Sequence, residues 1–354
     1  MSVTLTISSL QYTYTVDEVS SLGEAVAAAT AGDRPHLLVD DFFATHPAFR
    51  ALQDDALFVR ANEESKSFAA LEPVYAWLHG RRFRRNDTLV AVGGGVVQDI
   101  ACFVASTFMR GVRWNFVPTT MLAQCDSCIG SKSSINLGAH KNQLGTFFPP
   151  RRIFLTDEAV KTLPPDEVRS GLGEAVKLHL LAGEVEFRWI ARELDPRAAQ
   201  TLALMPIVWA CLRLKKPVIE LDEFDRGSRN LLNYGHTFGH AFEAATSFGI
   251  PHGIAVSLGM AAATHVSWQL GLVDDVHFRD VVSVLRPLFD PYQGQLFAFR
   301  GSDFVDRMRH DKKNDDDNVT CILTSGFGAM AKRKVAPDAL AMMLDAFLNE
   351  LRAI

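Results

Sequence analysis

Alternating hydrophobic and polar positions open the chain. Every second residue is hydrophobic in residues 3–7, and residues 12–16 repeat the pattern after Ser8-Ser9. A period of two residues is typical of a strand with one buried face. We therefore predict two strands near an edge of the fold.

Up to about residue 155, hydrophobic runs of strand length alternate with segments of helical pattern. The predicted helices are 22–30, one between residues 40 and 56, and one that follows Gly95 and continues to Arg110. The predicted strands are 36–40, 56–59, 88–92, 114–120 and 151–155, the last being the final strand of the chain. Strands that alternate with helices predict a parallel sheet.

Helical patterns dominate the second half of the chain. The run Leu163-Pro164-Pro165-Asp166-Glu167 predicts a helix start, because proline fits the first turn and acidic residues favour its positive end. We predict an α/β domain over residues 1–157 and a mainly α-helical domain over residues 158–354.

Composition narrows the classes of partner. The chain has 354 residues, a formal net charge of -5 and 48% hydrophobic residues, so we expect neither a nucleic-acid nor a membrane partner. The N-terminus has no cationic leader, and no run of about 18 apolar residues occurs. Five cysteines form no spaced framework, and together these features predict a cytoplasmic protein.

Three glycines, Gly93-Gly94-Gly95, follow the predicted strand 88–92 and precede a helix. Glycine lets a phosphate approach a helix N-terminus closely, so this turn could bind a dinucleotide. The cluster is not the G-x-G-x-x-G pattern, and a plain turn between strand and helix explains it equally well.

Residues 121–150 are rich in glycine, serine and charge, and we predict no packed element there. Its lysines suit phosphate oxygens, although a solvated loop would have the same composition. The pair Cys125 and Cys128 has the spacing of a zinc or redox motif. Because no second pair occurs, we expect no function for it.

Two histidines, His236 and His240, are four positions apart and so share one face of a predicted helix. His252 follows after a Gly-Ile-Pro break. This set could hold a divalent metal or orient a phosphate, and it could equally consist of hydrogen-bonded helical histidines.

Glu174 and Lys177 lie three positions apart within an otherwise apolar segment. Such a pair is usually a surface ion pair, but a buried carboxylate needs a cation. Glu174 with two of the three histidines would form a His₂-carboxylate metal site with an open position.

These segments follow one another in an order and spacing that resemble the sugar phosphate cyclases, most closely the 3-dehydroquinate synthase family. The resemblance covers about residues 35–320. It rests on G-G-G-V-V-Q-D at 93–99, V-P-T-T-M-L-A at 117–123, D-S-C-I-G-S-K at 126–132, H-K-N-Q-L-G at 140–145, T-L-P-P-D-E at 162–167, G-L-G-E-A-V-K at 171–177, D-E-F-D-R-G-S-R at 222–229 and N-Y-G-H-T-F-G-H at 233–240.

The resemblance implies a dehydroquinate synthase-like fold, with a Rossmann-like α/β domain before the helical one. It implies NAD and a divalent metal, Zn²⁺ or Co²⁺, as cofactors, a sugar phosphate as substrate and a homodimer as the assembly. The reaction it implies is a cyclisation with phosphate elimination, in which NAD accepts a hydride and returns it within one turnover. The substrate expected first is 3-deoxy-D-arabino-heptulosonate 7-phosphate, which would give 3-dehydroquinate.

Position by position, the resemblance assigns roles to residues of this sequence. The implied metal ligands are Glu174, His236 and His252, and His240 matches the histidine beside the leaving phosphate. The implied phosphate-binding residues are Arg110, Lys132, Asn142 and Lys312 or Lys313. The residues implied to hold substrate hydroxyls and carboxylate are Asp126, Lys177, Lys215, Arg229 and Asn233. The residues implied to bind NAD are Asp40, Glu63, Lys66, Gly94, Gly95, Val96, Asp99, Thr119, Thr120, Leu122, Lys132, Lys141, Thr162 and Glu167.

Several positions depart from the family pattern. Ile254 stands where a glutamate is usual two residues after His252, which predicts an altered environment for that histidine. Phe42, Asn62 and Ser131 replace a usual asparagine and two glycines. The segment 140–146 is more similar to cyclases that act on sedoheptulose 7-phosphate, so such an enzyme is a second hypothesis. The sequence is also compatible with a glycerol-type dehydrogenase and with a non-catalytic binding protein.

Overall fold

The computed structural model describes residues 3–32, 34–138, 140–194, 203–309 and 318–353. They form two compact units. The first comprises Met1–Pro164 together with Lys215–Asp225, and the second comprises Pro165–Leu214 and Arg226–Ile354. The last part of one long helix therefore belongs to the first unit.

A seven-stranded sheet forms the centre of the first unit. Its strands are β1 (Thr4–Ser8), β2 (Thr13–Glu18), β3 (Pro35–Asp40), β4 (Ala56–Val59), β5 (Thr88–Gly93), β6 (Arg113–Pro118) and β9 (Arg152–Leu155). Their order in the sheet is β1-β2-β9-β6-β5-β3-β4. Only the pair β1–β2 is antiparallel, and it lies at one edge as the alternating pattern predicts. The central strands β3 and β5 are buried on both faces, which explains their continuous hydrophobic runs.

Helices cover this sheet, and several of them differ from the sequence prediction. The helices are α1 (Leu22–Thr30), α2 (Phe68–Gly80), α3 (Gly95–Thr107) and α4 (Asp157–Val160). The sequence prediction did not include α2 or α4. Between β3 and β4 there is no α-helix but three single 3₁₀ turns, so the helix predicted there is wrong. Helix α3 ends at Thr107 rather than Arg110, because Met109 and Arg110 adopt left-handed backbone conformations with φ of 49° and 64°.

The segment 121–150 is more ordered than its composition predicts. It contains a π-helical turn, Ala123–Ser127, and a hairpin formed by β7 (Ile135–Leu137) and β8 (His140–Leu144). Cys125 and Cys128 are fully buried in this segment, whereas a solvated loop would expose them. Burial raises the pKa of Cys128 to about 12, which disfavours the thiolate that metal binding or redox chemistry requires.

The second unit is mainly helical. Its helices are α5 (Pro165–Ala182), α6 (Glu184–Glu193), α7 (Leu204–Leu221, whose last residues belong to the first unit), α8 (His236–Ala245), α9 (His252–Gln269), α10 (Asp275–Gln293), α11 (Gly301–Arg309) and α12 (Pro337–Ala353). Helix α5 begins at Pro165, as the Pro-Pro-Asp-Glu signal predicts. An antiparallel hairpin, β10 (Val319–Thr324) with β11 (Met330–Val335), follows, so the prediction that 151–155 is the last strand is wrong.

Glycines allow α5, α8 and α9 to approach one another closely. A Cβ atom at Gly259 of α9 would lie 2.1 Å from the carbonyl oxygen of Gly235, and one at Gly173 of α5 would lie 2.2 Å from that of Gly253. Backbone therefore packs directly against backbone, and no larger side chain fits. This packing brings the polar residues of α5, α8 and α9 together.

The predicted fold class, a parallel-sheet domain followed by a mainly helical domain, is confirmed. Among the described residues, no helix combines the length and the apolar character needed to cross a membrane.

Candidate metal and dinucleotide sites

Glu174 and Lys177 form a buried ion pair on α5. Their side chains are 2% and 3% exposed, so the surface-pair interpretation is wrong. Lys177 donates to Oε2 of Glu174, whereas Oε1 of Glu174 is buried without a hydrogen-bond partner among the described residues. Because a buried carboxylate oxygen without a partner is costly, this atom marks a position where a cation would be stabilised.

Two histidines face that oxygen. The Nε2 atoms of His236 and His252 lie 3.6 Å and 3.5 Å from Oε1 of Glu174. His236 begins α8 and His252 begins α9, and the close packing of the two helices puts both rings beside α5. Ring nitrogens of His236, His240 and His252 all lie within 4.8 Å of one another. The structure thus brings together the three predicted metal ligands, Glu174, His236 and His252, and places His240 beside the other two histidines.

Burial and neighbouring charges shift the pKa values of this cluster. Burial opposes the charged form of Glu174, but the ammonium of Lys177 outweighs it and holds the pKa of Glu174 well below its usual range. Burial lowers the pKa of His236 far below its usual range, so its ring is neutral and can act as a ligand. Burial also opposes the charged form of His252, but Glu174 and Glu243 raise its pKa to about 10.

Glu243 is a member of the cluster that the sequence did not reveal. It lies on α8, and both of its carboxylate oxygens are 3.4 Å from Nδ1 of His252. Ile254, where the family pattern has glutamate, is fully buried. The only sequence signal for Glu243 is its spacing, three positions after His240 on the same helix.

The other candidate substrate residues of the second unit lie just before α8. Arg229 is 4% exposed, and Asn233 donates from Nδ2 to the carbonyl of Asn230 at 3.1 Å. Both belong to the 3₁₀ segment Ser228–Asn233. Glu167, a candidate NAD residue, is exposed on the first turn of α5.

Two ion pairs, one largely buried and one with an exposed lysine, organise the candidate substrate residues of the first unit. Lys215 pairs with the carboxylate of Asp126 and also donates to its carbonyl oxygen at 2.5 Å. The Nζ atom of Lys132 lies 2.5 Å from Oδ2 of Asp225. The sequence did not single out Asp225. Both lysines therefore have acidic partners from a different part of the chain within the same unit.

Ser131 explains one departure from the family pattern. Its φ of 68° is in the left-handed region, which favours the glycine that is usual there. The hydroxyl of Ser131 donates to Glu223 at 2.9 Å, and this contact compensates in part for the backbone cost. The position just before Lys132 is thereby fixed.

Lys66 is the centre of the candidate NAD residues. Its buried ammonium lies 2.9 Å from Oδ2 of Asp99 and 3.6 Å from Oε1 of Glu63. It also donates to Oδ1 of Asn142 at 2.9 Å. Asn136 completes the network, since its Oδ1 accepts from the backbone of Asn142 at 2.8 Å. The structure therefore joins NAD candidates to Asn142, for which the resemblance implies phosphate binding.

The three glycines occupy the turn from β5 to α3. Gly94 caps α3, and a Cβ atom there would lie 2.6 Å from a side-chain carbon of Thr120. A methyl group at Gly94 would therefore require the Thr120 side chain to shift, whereas nothing lies within 4 Å of a Cβ atom at Gly95. Gly95, Val96 and Asp99 follow in the first turns of α3.

The remaining candidate residues for NAD and phosphate binding lie in separate elements of the structure. Asp40 caps the turn after β3 by accepting from the backbone of Phe42. Thr119 is buried directly after β6, Leu122 is half-buried, and Lys141 and Thr162 are exposed. Arg110 is exposed beyond α3. Lys312 and Lys313, and the acidic run Asp315 to Asp317, lie outside the described residues.

Two family models match consecutive parts of the chain. The 3-dehydroquinate synthase N-terminal model matches residues 56–170, and the 3-dehydroquinate synthase C-terminal model matches residues 171–314. The chain belongs to the 3-dehydroquinate synthase family. A 3-dehydroquinate synthase of Enterococcus faecalis is 34% identical over 339 residues, covering 93% of this chain and 94% of its own. A 3-dehydroquinate synthase of Nitrobacter hamburgensis is 37% identical over 342 residues, covering 90% of this chain and 88% of its own.

Solved structures with the same fold include two synthases and a probable dehydrogenase. A 2-deoxy-scyllo-inosose synthase complexed with carbaglucose-6-phosphate, NAD⁺ and Co²⁺ has a TM-score of 0.86 at 24% identity, covering 97% of this chain and 99% of its own. A 2-epi-5-epi-valiolone synthase from Streptomyces hygroscopicus subsp. jinggangensis, with NAD⁺ and Zn²⁺ bound, has a TM-score of 0.80 at 23% identity, covering 97% and 99%. A probable glycerol dehydrogenase from Sinorhizobium meliloti has a TM-score of 0.63 at 15% identity, covering 96% and 97%.

Proposed function

We propose that this member of the 3-dehydroquinate synthase family converts 3-deoxy-D-arabino-heptulosonate 7-phosphate to 3-dehydroquinate and phosphate, with NAD and a divalent metal as cofactors. In this proposal the enzyme is a phosphate-eliminating carbon–oxygen lyase. The observation that carries the proposal is the position of Oε1 of Glu174, buried without a partner among the described residues and facing the Nε2 atoms of His236 and His252.

The donor set fits a divalent cation. One carboxylate oxygen and two imidazole nitrogens are the ligands of a catalytic zinc or cobalt site, which keeps a further position open for substrate. Lys177 occupies the other oxygen of Glu174, so Oε1 is the oxygen that remains for the ion. When bound, the cation supplies Lewis acidity and NAD supplies a reversible hydride acceptor.

The residues of the chain supply binding and orientation. Arg229 can form a bidentate contact with a substrate carboxylate, which favours a keto-acid phosphate over a sugar phosphate without a carboxylate. Lys177 and Asn233 would hold hydroxyl groups. His240 is exposed beside the other two histidines. It would lie near the leaving phosphate, where its imidazole can accept or donate a proton.

In the first unit, we propose that the glycine turn at 93–95 and the Lys66–Asp99 pair hold NAD. The N-terminus of α3 would carry the pyrophosphate, because its backbone N–H groups and dipole attract anions. Lys132, Asn142 and Arg110 would bind the substrate phosphate. In this proposal Lys66 links the two functions, since it contacts both Asp99 and Asn142.

The relatives at 34% and 37% identity carry the name 3-dehydroquinate synthase and align with most of the chain, which supports the keto-acid substrate. A cyclase for sedoheptulose 7-phosphate or a similar sugar phosphate is the second candidate, because the segment 140–146 is more similar to those enzymes. The 2-epi-5-epi-valiolone synthase and the glycerol dehydrogenase share the fold at under 25% identity, so their structures favour neither candidate.

The proposal is tested by incubating the purified full-length protein with the keto-acid phosphate, NAD and Co²⁺. Inorganic phosphate and NADH are measured in parallel. We expect catalytic release of phosphate without accumulation of NADH, because a cyclase restores its cofactor in each turnover. Stoichiometric NADH without phosphate release would contradict the proposal and indicate a dehydrogenase.

A further inference from the structure

His252 lies between two carboxylates. Its Nε2 is 3.5 Å from Oε1 of Glu174, and its Nδ1 is 3.4 Å from each oxygen of Glu243. The two carboxylates come from different helices, α5 and α8, and approach opposite edges of one ring. One carboxylate therefore faces each ring nitrogen, and that of Glu243 forms the hydrogen bond.

The position of Glu243 is fixed by the packing of its helix. Its side chain is only 12% exposed, and α8 lies directly against α9 where Gly239 meets the backbone of Ala255. A Cβ atom at Gly239 would lie 2.9 Å from the carbonyl oxygen of Ala255. Because no side chain separates the two helices there, Glu243 reaches the first residue of α9.

A carboxylate beside Nδ1 has a definite chemical effect on the other nitrogen. It accepts a hydrogen bond from Nδ1–H, so Nε2 is the nitrogen that gives up its proton and offers its lone pair when a cation binds, and it increases the electron density on that nitrogen. In His252, Nε2 is the nitrogen that faces Oε1 of Glu174. The carboxylate of Glu243 thus prepares His252 to bind a cation at that side.

The residue at position 254 does not supply this carboxylate. Ile254 is fully buried on α9, whereas Glu243 reaches the ring from the preceding helix. The family pattern alone predicts an altered environment for His252 in this chain. The structure instead places a carboxylate at Nδ1 from another element.

We propose that Glu243 is a positioning residue for metal binding, one that fixes the orientation and tautomer of His252 and so strengthens its bond to a divalent cation. This inference rests on the proposed metal site of Glu174, His236 and His252. It deepens that site by adding a residue that does not itself touch the ion.

The test is a titration of the metal-free full-length protein with Co²⁺, read by calorimetry and by the visible absorption spectrum of the bound ion. The wild-type protein is compared with Glu243→Ala, Glu243→Gln and His252→Ala. Glu193→Ala, at an exposed carboxylate of α6, is the control and should leave the affinity unchanged.

We expect Glu243→Ala to weaken Co²⁺ binding about 10- to 100-fold, the usual effect of removing a group behind a metal ligand. Glu243→Gln should lose less, because its amide oxygen still accepts from Nδ1 but carries no charge. An altered Co²⁺ spectrum in both variants, with unchanged melting of the metal-free protein, would support a positioning role.

Two results would overturn the inference, and they are distinguishable. If His252→Ala loses Co²⁺ binding but Glu243→Ala keeps the wild-type affinity, the metal site stands and Glu243 does not position it. If His252→Ala binds Co²⁺ as the wild-type protein does, the proposed ligand set is wrong and the role of Glu243 falls with it.

Discussion

The Nε2 atom of His252 lies 3.5 Å from Oε1 of Glu174, although the two residues belong to different helices. This contact exists because glycines let the backbone of α5 meet that of α9, where Gly173 lies against Gly253. Lys177 uses the other oxygen of the carboxylate, so Oε1 is directed to the histidines. The packing of the helices thereby creates the candidate metal site.

Replacing Glu174 should remove metal binding. For Glu174→Gln we expect a loss of Co²⁺ affinity of at least about 100-fold, because a neutral amide replaces the anionic ligand of the proposed set. Calorimetric titration with Co²⁺ measures this. Glu193→Gln, at an exposed glutamate of α6, is the control. Unchanged affinity of Glu174→Gln would contradict the ligand assignment.

His240 and His236 should differ in function although they are one turn apart. We expect His236→Ala to lose Co²⁺ binding, and His240→Ala to keep it while turnover falls about 10²- to 10⁴-fold, the usual range for a lost proton-transfer group. Binding and turnover are measured on the same preparations. If His240→Ala also loses Co²⁺, the three histidines bind the ion together, as their nitrogens within 4.8 Å of one another would permit.

The buried ion pair of α5 should be costly to break on one side only. Lys177→Met leaves the Glu174 carboxylate without its ammonium partner, and we expect about 3–5 kcal/mol of destabilisation of the metal-free protein. The double variant Lys177→Met/Glu174→Gln should recover most of that loss. Chemical denaturation measures both. Equal destabilisation by the single and double variants would show that the pair is not energetically coupled.

His265 should make stability depend on pH. Burial against Trp268, Phe278 and Phe347 lowers its pKa from 6.5 to about 4. Between these values the unfolded chain binds a proton that the folded chain does not, so stability falls as pH decreases from 6.5 to 4, by up to about 1.4 kcal/mol per pH unit.

His265→Leu should remove this contribution, so the melting temperature should decline less steeply over that pH range than in the wild-type protein. The comparison uses thermal melts of both proteins at a series of pH values. Parallel curves would mean that the pKa of His265 does not differ between the folded and unfolded protein, which would contradict the prediction.

The glycine contact between α8 and α9 should not tolerate a methyl group. A Cβ atom at Gly259 would lie 2.1 Å from the carbonyl oxygen of Gly235, so Gly259→Ala should destabilise the protein by at least about 1–3 kcal/mol. Gly80→Ala is the matched control, since nothing lies within 4 Å of its added Cβ at the end of α2. Equal melting temperatures for the two variants would contradict the packing account.

Periodicity predicted the elements whose pattern matches their burial. Strands β3 and β5 are buried on both faces and read as continuous hydrophobic runs, and α5 starts at its proline signal. The failures have local causes. The segment between β3 and β4 forms 3₁₀ turns, and the polar hairpin β7–β8 is held by side-chain hydrogen bonds that no periodicity records.

The candidate site was predictable only where residues have a fixed spacing or a family motif. His236 and His240 share a helix face, and Glu174 belongs to a quoted motif. Glu243 and Asp225 were missed because their partners, His252 and Lys132, come from other elements. The sequence around a carboxylate on one helix does not indicate which histidine on another helix it will contact.

The most direct test of the proposed function is a comparison of two substrates under identical conditions with NAD and Co²⁺. The rate of phosphate release is measured from 3-deoxy-D-arabino-heptulosonate 7-phosphate and from sedoheptulose 7-phosphate, for the wild-type protein and for Arg229→Lys. We predict release from the keto-acid phosphate only, and a lower kcat/KM for Arg229→Lys because a bidentate contact with the carboxylate is lost. Phosphate release from sedoheptulose 7-phosphate, with none from the keto-acid phosphate, would contradict the account.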